Sequence, residues 1–175
     1  FNDDDVIFIY FNGYELLNNP CIGDKYTDRE KDLIIVAIPA AGIDNLAQRM
    51  APYINKNDHI LIATKGIEQE TGLFLHQVLS KYLKTKNIAA ISGPSFAVDI
   101  ITKMPIGLSI AGKKKETIRR AKKALSSNYV KLRESTDLIG IEACGAIKNV
   151  IAIAAGTVVF VKYKRKLIAF YIVWF

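Results

Sequence analysis

The chain has 175 residues, of which 50% are hydrophobic and 23% are charged, and its formal net charge is +7. This length suits one domain of ordinary size, and the small numbers of Gly and Pro, 11 and 5, exclude collagen-like and disordered classes. The two cysteines, Cys21 and Cys144, lie far apart and outside any CxxC motif or histidine cluster. A disulfide scaffold and a zinc site therefore lack support, and a reducing, cytoplasmic compartment is expected.

The two ends of the chain carry no recognisable signal for export or membrane insertion. The chain opens with FNDDD, which is acidic and lacks a starting Met, so we expect a truncated or processed start rather than a signal peptide. The longest apolar run, residues 151–161, is too short to cross a bilayer. No membrane span is expected.

Short apolar runs alternate with helical patterns along most of the chain. Residues 6–10 could form a strand, whereas residues 12–27 are rich in Asn and Gly and indicate a loop. The following pattern predicts strands at 33–39, 59–64, 88–92, 106–111 and 128–132, and helices at 42–52, 72–83, 94–103, 114–126 and 138–156. This alternation is typical of an α/β protein in which helices cover both faces of a parallel sheet.

The excess positive charge is concentrated in two segments, residues 113–123 and 162–166. The first coincides with a predicted helix and contains no aromatic residue, although aromatics commonly accompany basic side chains in nucleic-acid grooves. A solvated helix face is therefore favoured over a polyanion-binding patch, and no nucleic-acid partner is expected.

Two predicted strands end in segments that could contact a ligand. Lys65 follows one strand directly, and the sequence Ser92-Gly93-Pro94-Ser95 follows the next. In open α/β sheets, ligands bind just outside the carboxyl ends of the strands, where Lys65 could meet an anion and Gly93 would let a ligand approach the backbone. The alternatives are an ordinary exposed lysine and a Gly-Pro turn without a ligand.

Lys148 lies within the apolar pattern of the last predicted helix. None of its neighbours on the helix face is acidic: Ile141, Cys144, Gly145, Ile151 and Ala152. A lysine turned inward on such a face is desolvated, which lowers its pKa and suits it to act as a general base. The alternative is a lysine whose stem crosses the apolar surface and whose amine reaches water. The histidines, His59 and His76, are expected to be structural or exposed.

Five sequence blocks together resemble the NAD(P)-dependent glycerol-3-phosphate dehydrogenases. They are, in chain order, LIIVAIP, ATKGIEQETG, ISGPSFA, PIGLSIAG and DLIGIEACGAIKNVIAIAAG, and the resemblance covers about residues 30–156. It implies hydride transfer between NAD or NADP and a small phosphorylated substrate, which interconverts dihydroxyacetone phosphate and sn-glycerol 3-phosphate, a precursor of glycerophospholipids.

The resemblance also implies roles for particular residues. Lys148 corresponds to the proton donor and acceptor at the C2 oxygen of the substrate and is a substrate contact. Lys65 corresponds to a contact of both cofactor and substrate, Gly93 and Ser95 to substrate contacts, and Ala97 to a cofactor contact. No metal is implied.

The chain departs from this family at both ends. None of its glycines has the GxGxxG spacing that seats a dinucleotide pyrophosphate. We therefore expect residues 1–136 to form a partial Rossmann-like domain without its first strand and glycine turn, which leaves an apolar sheet edge unpaired. Residues 137–156 would form an interdomain helix leading towards an all-α domain, and residues 157–175 an unrelated hydrophobic and basic tail.

An inactive dehydrogenase fragment is the function that this pattern favours. A fragment of a 3-hydroxyacid-type dehydrogenase is one alternative, and a non-enzymatic remnant that binds polyanions through residues 113–123 is another. The sequence leaves the choice between NAD and NADP open, and likewise the oligomeric state.

Overall fold

The protein is described by a computed structural model over residues 6–10, 33–94, 99 and 102–163. In this part of the chain six strands form one sheet. In spatial order they are β1 (Val6–Tyr10), β2 (Leu33–Ala37), β3 (His59–Ile62), β4 (Asn87–Ser92), β5 (Ile106–Gly112) and β6 (Val130–Ser135). Each strand neighbours the next along the chain, so the sheet is crossed in one direction.

Helices connect and cover these strands. A 3₁₀ turn, Ala40–Gly42, leads into α1 (Ile43–Met50), and the other helices are α2 (Leu75–Tyr82), α3 (Lys115–Leu125) and α4 (Leu138–Tyr163). These four helices correspond to predicted ones. The predicted helix at 94–103 lies largely outside the described residues.

The alternation of side chains along the strands creates two cores, one on each face of the sheet. Ile34 and Val36 of β2 pack with α1, α2 and the start of α4, whereas Leu33 and Ile35 pack with α3 on the opposite face. Each strand residue of this set is at most 4% exposed. The predicted α/β class, with helices on both faces of a Rossmann-like sheet, is confirmed.

One strand pairing differs from the predicted parallel arrangement. All neighbouring strands run parallel except β4 and β5, which are antiparallel with Ala90 opposite Ala111. Only residues 93–105 join these two strands, whereas residues 38–58 and 63–86 join the parallel pairs before them. This connection is close to the minimum of about a dozen residues for a parallel crossover, so its length alone permits either strand direction.

Strand β2 is not at the edge of the sheet. β1 pairs with β2 in parallel, with Phe8 opposite Ile35, so among the described residues the sheet ends at β1 on this side. The segment VIFIY is rich in the β-branched and aromatic residues that suit strands, and pairing satisfies backbone groups that the edge of β2 would otherwise expose.

Helix α4 is longer than predicted, and its residues 147–157 are exposed or half-buried. The stretch Leu138–Thr157 is long and apolar enough to cross a membrane by length and composition, and 17% of it is buried. The sequence run 151–161 did not reveal this candidate, because the helix begins well before it. Core helices of soluble proteins meet the same criteria.

Candidate functional site

Lys65 leaves the sheet from a firmly held strand end. The Thr64 hydroxyl accepts a hydrogen bond from the Ile38 N–H at 3.1 Å and donates to the Ile38 carbonyl oxygen at 2.8 Å. These contacts join the segments that follow β2 and β3. The next residue after Lys65, Gly66, has φ +138°, and a Cβ built there would come within 2.8 Å of the Ala40 Cβ. Glycine is therefore required for the turn at Lys65.

The loop after Gly66 is organised by the carboxylate of Glu68. This carboxylate accepts the Glu70 N–H at 3.0 Å and the Thr71 N–H at 2.7 Å, and it also accepts the Thr71 hydroxyl. The Thr71 side chain and these backbone donors lower the pKa of Glu68. A bridge between Ile67 and Phe74 then closes the loop and returns the chain to α2.

Helix α4 packs closely over the end of β4. A Cβ built on Gly145 would lie 2.9 Å from the Ser92 Oγ and 3.7 Å from the Lys65 Cγ. Gly145 is buried, so only glycine allows this approach without displacing Ser92. The contact places the helix face that carries Gly145 against the two strand ends.

Lys65 and Lys148 meet in the crevice that this packing forms. The Lys65 side chain is exposed overall, but partial burial of its amine lowers the pKa of Lys65, and the neighbouring positive charge of Lys148 lowers it further. Lys148 is half-buried and follows Gly145 by about one helical turn. The structure therefore brings together the two lysines that the sequence singled out.

Of the other predicted site residues, the structure describes Gly93 but not Ser95 or Ala97. Gly93 follows β4, where a built Cβ would lie 2.9 Å from the Leu108 Cδ2 and 3.0 Å from the Gly107 carbonyl oxygen. Close packing against β5 thus requires glycine here, and its predicted ligand contact remains a prediction. Ser95 and Ala97 lie outside the described residues.

The sequence did not reveal the pairing of His76 with Glu142. The Glu142 carboxylate accepts the His76 backbone N–H at 3.0 Å, and its other oxygen bonds the His76 Nδ1. Glu142 is 6% exposed. A glutamate within an apolar helix was the available signal, because buried carboxylates require partners. His59 is buried and lies 2.8 Å from the Thr117 hydroxyl, as expected for a structural residue.

Carboxylates partly neutralise the basic segment 113–123. Glu116 binds Arg119 at 2.7 Å and Arg120 at 3.0 Å, and these hydrogen bonds lower its pKa to about 2. Lys122 pairs with Glu134 at 2.6 Å. These pairs favour a solvated helix face over a polyanion site.

Metal chemistry has no candidate centre in the part of the chain that the structure describes. No group of three or more His, Cys, Asp or Glu residues there could hold a metal ion. The site is thus built from two amines, one hydroxyl and the backbone at the strand ends.

Two sequence models match the chain. The model described as NAD-dependent glycerol-3-phosphate dehydrogenase N-terminus matches residues 24–118, and the corresponding C-terminus model matches residues 137–173. The second match continues beyond residue 156, into the tail that we expected to be unrelated.

Individual relatives agree with these models. The chain is 37% identical over 126 residues to a glycerol-3-phosphate dehydrogenase [NAD(P)+] of Rhizobium johnstonii, which covers 72% of this chain and 38% of the relative. The corresponding protein of Solidesulfovibrio magneticus is 39% identical over 124 residues, 70% of this chain and 38% of the relative. The chain thus spans about two fifths of the length of these curated relatives.

A solved structure shares the fold over a similar part of its length. The crystal structure of glycerol-3-phosphate dehydrogenase from Coxiella burnetii superposes with a TM-score of 0.70 and 28% identity, covering 79% of this chain and 42% of that one.

Proposed function

Because the chain belongs to the family of NAD-dependent glycerol-3-phosphate dehydrogenases, we propose that the crevice between Lys65 and Lys148 binds a small phosphorylated substrate, glycerol 3-phosphate or dihydroxyacetone phosphate. The meeting of two lysines at the carboxyl ends of the strands carries this proposal. Two adjacent amines attract an anion, and the substrate supplies the negative charge that offsets their mutual repulsion.

The same pair of amines is suited to proton transfer. An ammonium group can pass a proton to a substrate oxygen, and a neighbouring ammonium stabilises a developing alkoxide. In the proposed reaction Lys148 gives a proton to, or takes one from, the C2 oxygen, and Lys65 holds the substrate. Gly93 and Ser95 are further proposed substrate contacts.

The residues present fit a nicotinamide cofactor only in part. The parallel strands β2, β3 and β4 end together beside Lys65, where the cofactor of such a sheet would approach. The sequence has no glycine-rich turn of GxGxxG spacing to hold the pyrophosphate. The proposed cofactor contacts, Lys65 and Ala97, do not replace that turn, so the role of this chain's own residues is limited to holding the substrate and moving its proton.

We accordingly propose that this chain retains substrate-site residues of an NAD(P)-dependent enzyme of glycerophospholipid precursor supply but does not turn over by itself. A cytoplasmic location accompanies the proposal. The pairing of charges in 113–123 gives no specific support to a polyanion-binding remnant, and the family assignment disfavours a 3-hydroxyacid-type dehydrogenase.

The binding test compares glycerol 3-phosphate with glycerol, titrated into the ¹⁵N-labelled chain and followed by NMR. We expect glycerol 3-phosphate to bind with a dissociation constant on the order of 1 mM and to shift resonances around Lys65 and Gly145. Glycerol should neither bind nor shift these resonances, because the two amines recognise the phosphate group that glycerol lacks. Lys65→Met and Lys148→Met should each weaken binding about tenfold, which corresponds to losing one charge-assisted contact.

Lys131→Met is the matched control, because Lys131 is exposed on β6 and its loss changes net charge equally. Equal weakening by all three variants would show non-specific anion attraction and would overturn the proposed site. A separate absorbance assay with NADH or NADPH and dihydroxyacetone phosphate should show no turnover. Turnover abolished by Lys148→Met would contradict the inactive-fragment proposal while supporting the site.

A further inference from the structure

Glu142 is a buried carboxylate that the proposed chemistry does not use. It lies on α4 fewer than two helical turns before Lys148, and its partner His76 is the second residue of α2. A buried carboxylate without compensating donors is strongly destabilising. Here both of its oxygens have partners, so Glu142 fixes α4 to one particular place on α2.

The contact also completes the start of α2. Backbone N–H groups in the first turn of a helix have no partner within the helix, and the His76 N–H belongs to this turn. Glu142 accepts it at 3.0 Å, so a carboxylate from another helix caps α2 where the helix dipole favours negative charge. The Phe74 N–H is satisfied locally by Gln77 at 3.0 Å. Glu142 therefore supplies a cap that the adjacent sequence does not.

The start of α2 is in turn joined to the loop that carries Lys65. Ile67 bridges Phe74, and the Glu68 N–H donates to the Leu73 carbonyl oxygen at 3.0 Å. Lys65 precedes this closed loop and His76 follows it. A helix anchored to His76 is thereby anchored to the segment on which Lys65 stands.

We propose that Glu142 and His76 form a positioning pair, which holds the helix bearing Lys148 against the loop bearing Lys65 and so sets the separation of the two amines. The pair acts through the backbone of α4 and of residues 65–76. Close packing of Gly145 on Ser92 is a second attachment of α4, but it joins the helix to β4 rather than to the Lys65 loop. This proposal depends on the proposed function in one respect only, namely that the two amines bind a substrate.

The pKa of Lys65 reports the position of Lys148 without any need for activity, since the charge of Lys148 contributes to lowering it. The experiment titrates the chain labelled with ¹³C,¹⁵N-lysine by NMR and assigns the Lys65 resonance with Lys65→Arg. Lys148→Met gives the full upward shift caused by losing the neighbouring charge. Glu142→Leu should give part or all of that shift, because it removes both bonds to His76 at similar volume.

Glu142→Gln is the rescue variant, because its amide oxygen still accepts the His76 N–H and its NH₂ group can donate to a neutral Nδ1. It should keep the pKa of Lys65 near the wild-type value. His76→Phe keeps the backbone N–H and the stacking on Phe74 but removes the ring bond, so a smaller upward shift is expected. This variant decides the matter if Glu142→Leu does not fold.

Glu134→Leu is the control, because it breaks an exposed pair with Lys122 on the outer strand and should leave the pKa of Lys65 unchanged. A folded Glu142→Leu or His76→Phe chain with a wild-type Lys65 pKa would overturn the positioning role. If the wild-type chain did not bind glycerol 3-phosphate, the proposed function would be overturned instead. The titration of Lys65 would be unaffected by that result.

Discussion

The two halves of α4 are specified in different ways. The first half is fastened to the rest of the molecule: Asp137 accepts the Gly140 N–H at 2.8 Å, Glu142 bonds His76, and Gly145 packs on Ser92. Among the described residues of the second half, large apolar side chains are instead exposed. Val150 is 67% exposed and Ile153 is 71% exposed.

Lys148 lies at the boundary between these halves, and this location explains its environment. The fastened half gives it a position beside Lys65. Helix propensity is similar along α4, so the difference arises from tertiary contacts. It follows that substitutions of the buried residues in the first half should affect both stability and the lysine pair, and that substitutions of the exposed residues in the second half should affect neither.

The substitutions Leu138→Ala and Ile153→Ala should show the largest difference in their effects on the free energy of unfolding. Leu138 is 6% exposed within the core that includes Ile141, so its truncation should lower the free energy of unfolding by about 3 kcal/mol. Ile153→Ala should change it by less than about 0.5 kcal/mol. Chemical denaturation followed by circular dichroism measures both. Equal losses would show that the second half is covered in solution, for instance by self-association, which light scattering would detect.

Much of the fold follows from the sequence because strands buried on both faces are continuous apolar runs. LIIVA, HILI and NIAAIS became β2, β3 and β4, and the helices between them have clear apolar faces. The direction of β5 was not predictable in this way. A buried strand has the same residue pattern whichever way it runs, so the reversal of β5 relative to β4 is seen only in the structure.

The site was predicted in part, since Lys65 and Lys148 were singled out by strand-end position and by an apolar helix face. That they meet follows from the packing of Gly145, which sequence spacing does not reveal. The bond between His76 and Glu142 joins residues distant in the chain, and local reasoning leaves both without partners. Expectations drawn from neighbours on one helix cannot anticipate a partner on another.

The substitutions Gly145→Val and Gly156→Val, in the same helix, should show a smaller difference in their effects on the free energy of unfolding. A side chain at 145 would meet Ser92, whereas nothing lies within 4 Å of a Cβ built at 156. Gly145→Val should cost about 2 kcal/mol through overpacking, and Gly156→Val should be neutral or slightly stabilising because valine has the higher helix propensity. Thermal unfolding measures this. If Gly145→Val is also neutral, α4 does not press on β4 as closely as described.

The smallest expected effect is a pH dependence of stability that originates at Lys65. Its amine has a pKa of about 10.5 in the unfolded chain and a lower one in the folded chain, so between these values the unfolded chain binds more protons. Stability contributed by this group therefore rises with pH across that window, and the penalty for burying the charge is fully present below the folded pKa. Lys65→Met should remove the rise and Lys148→Met should reduce it, whereas the exposed Lys131→Met should preserve it. Denaturant unfolding at several alkaline pH values gives the slopes. Identical slopes for wild type and Lys65→Met would mean that the Lys65 amine is neither partly buried nor close to Lys148 in solution, and the first half of α4 would then lack the functional consequence assigned to it.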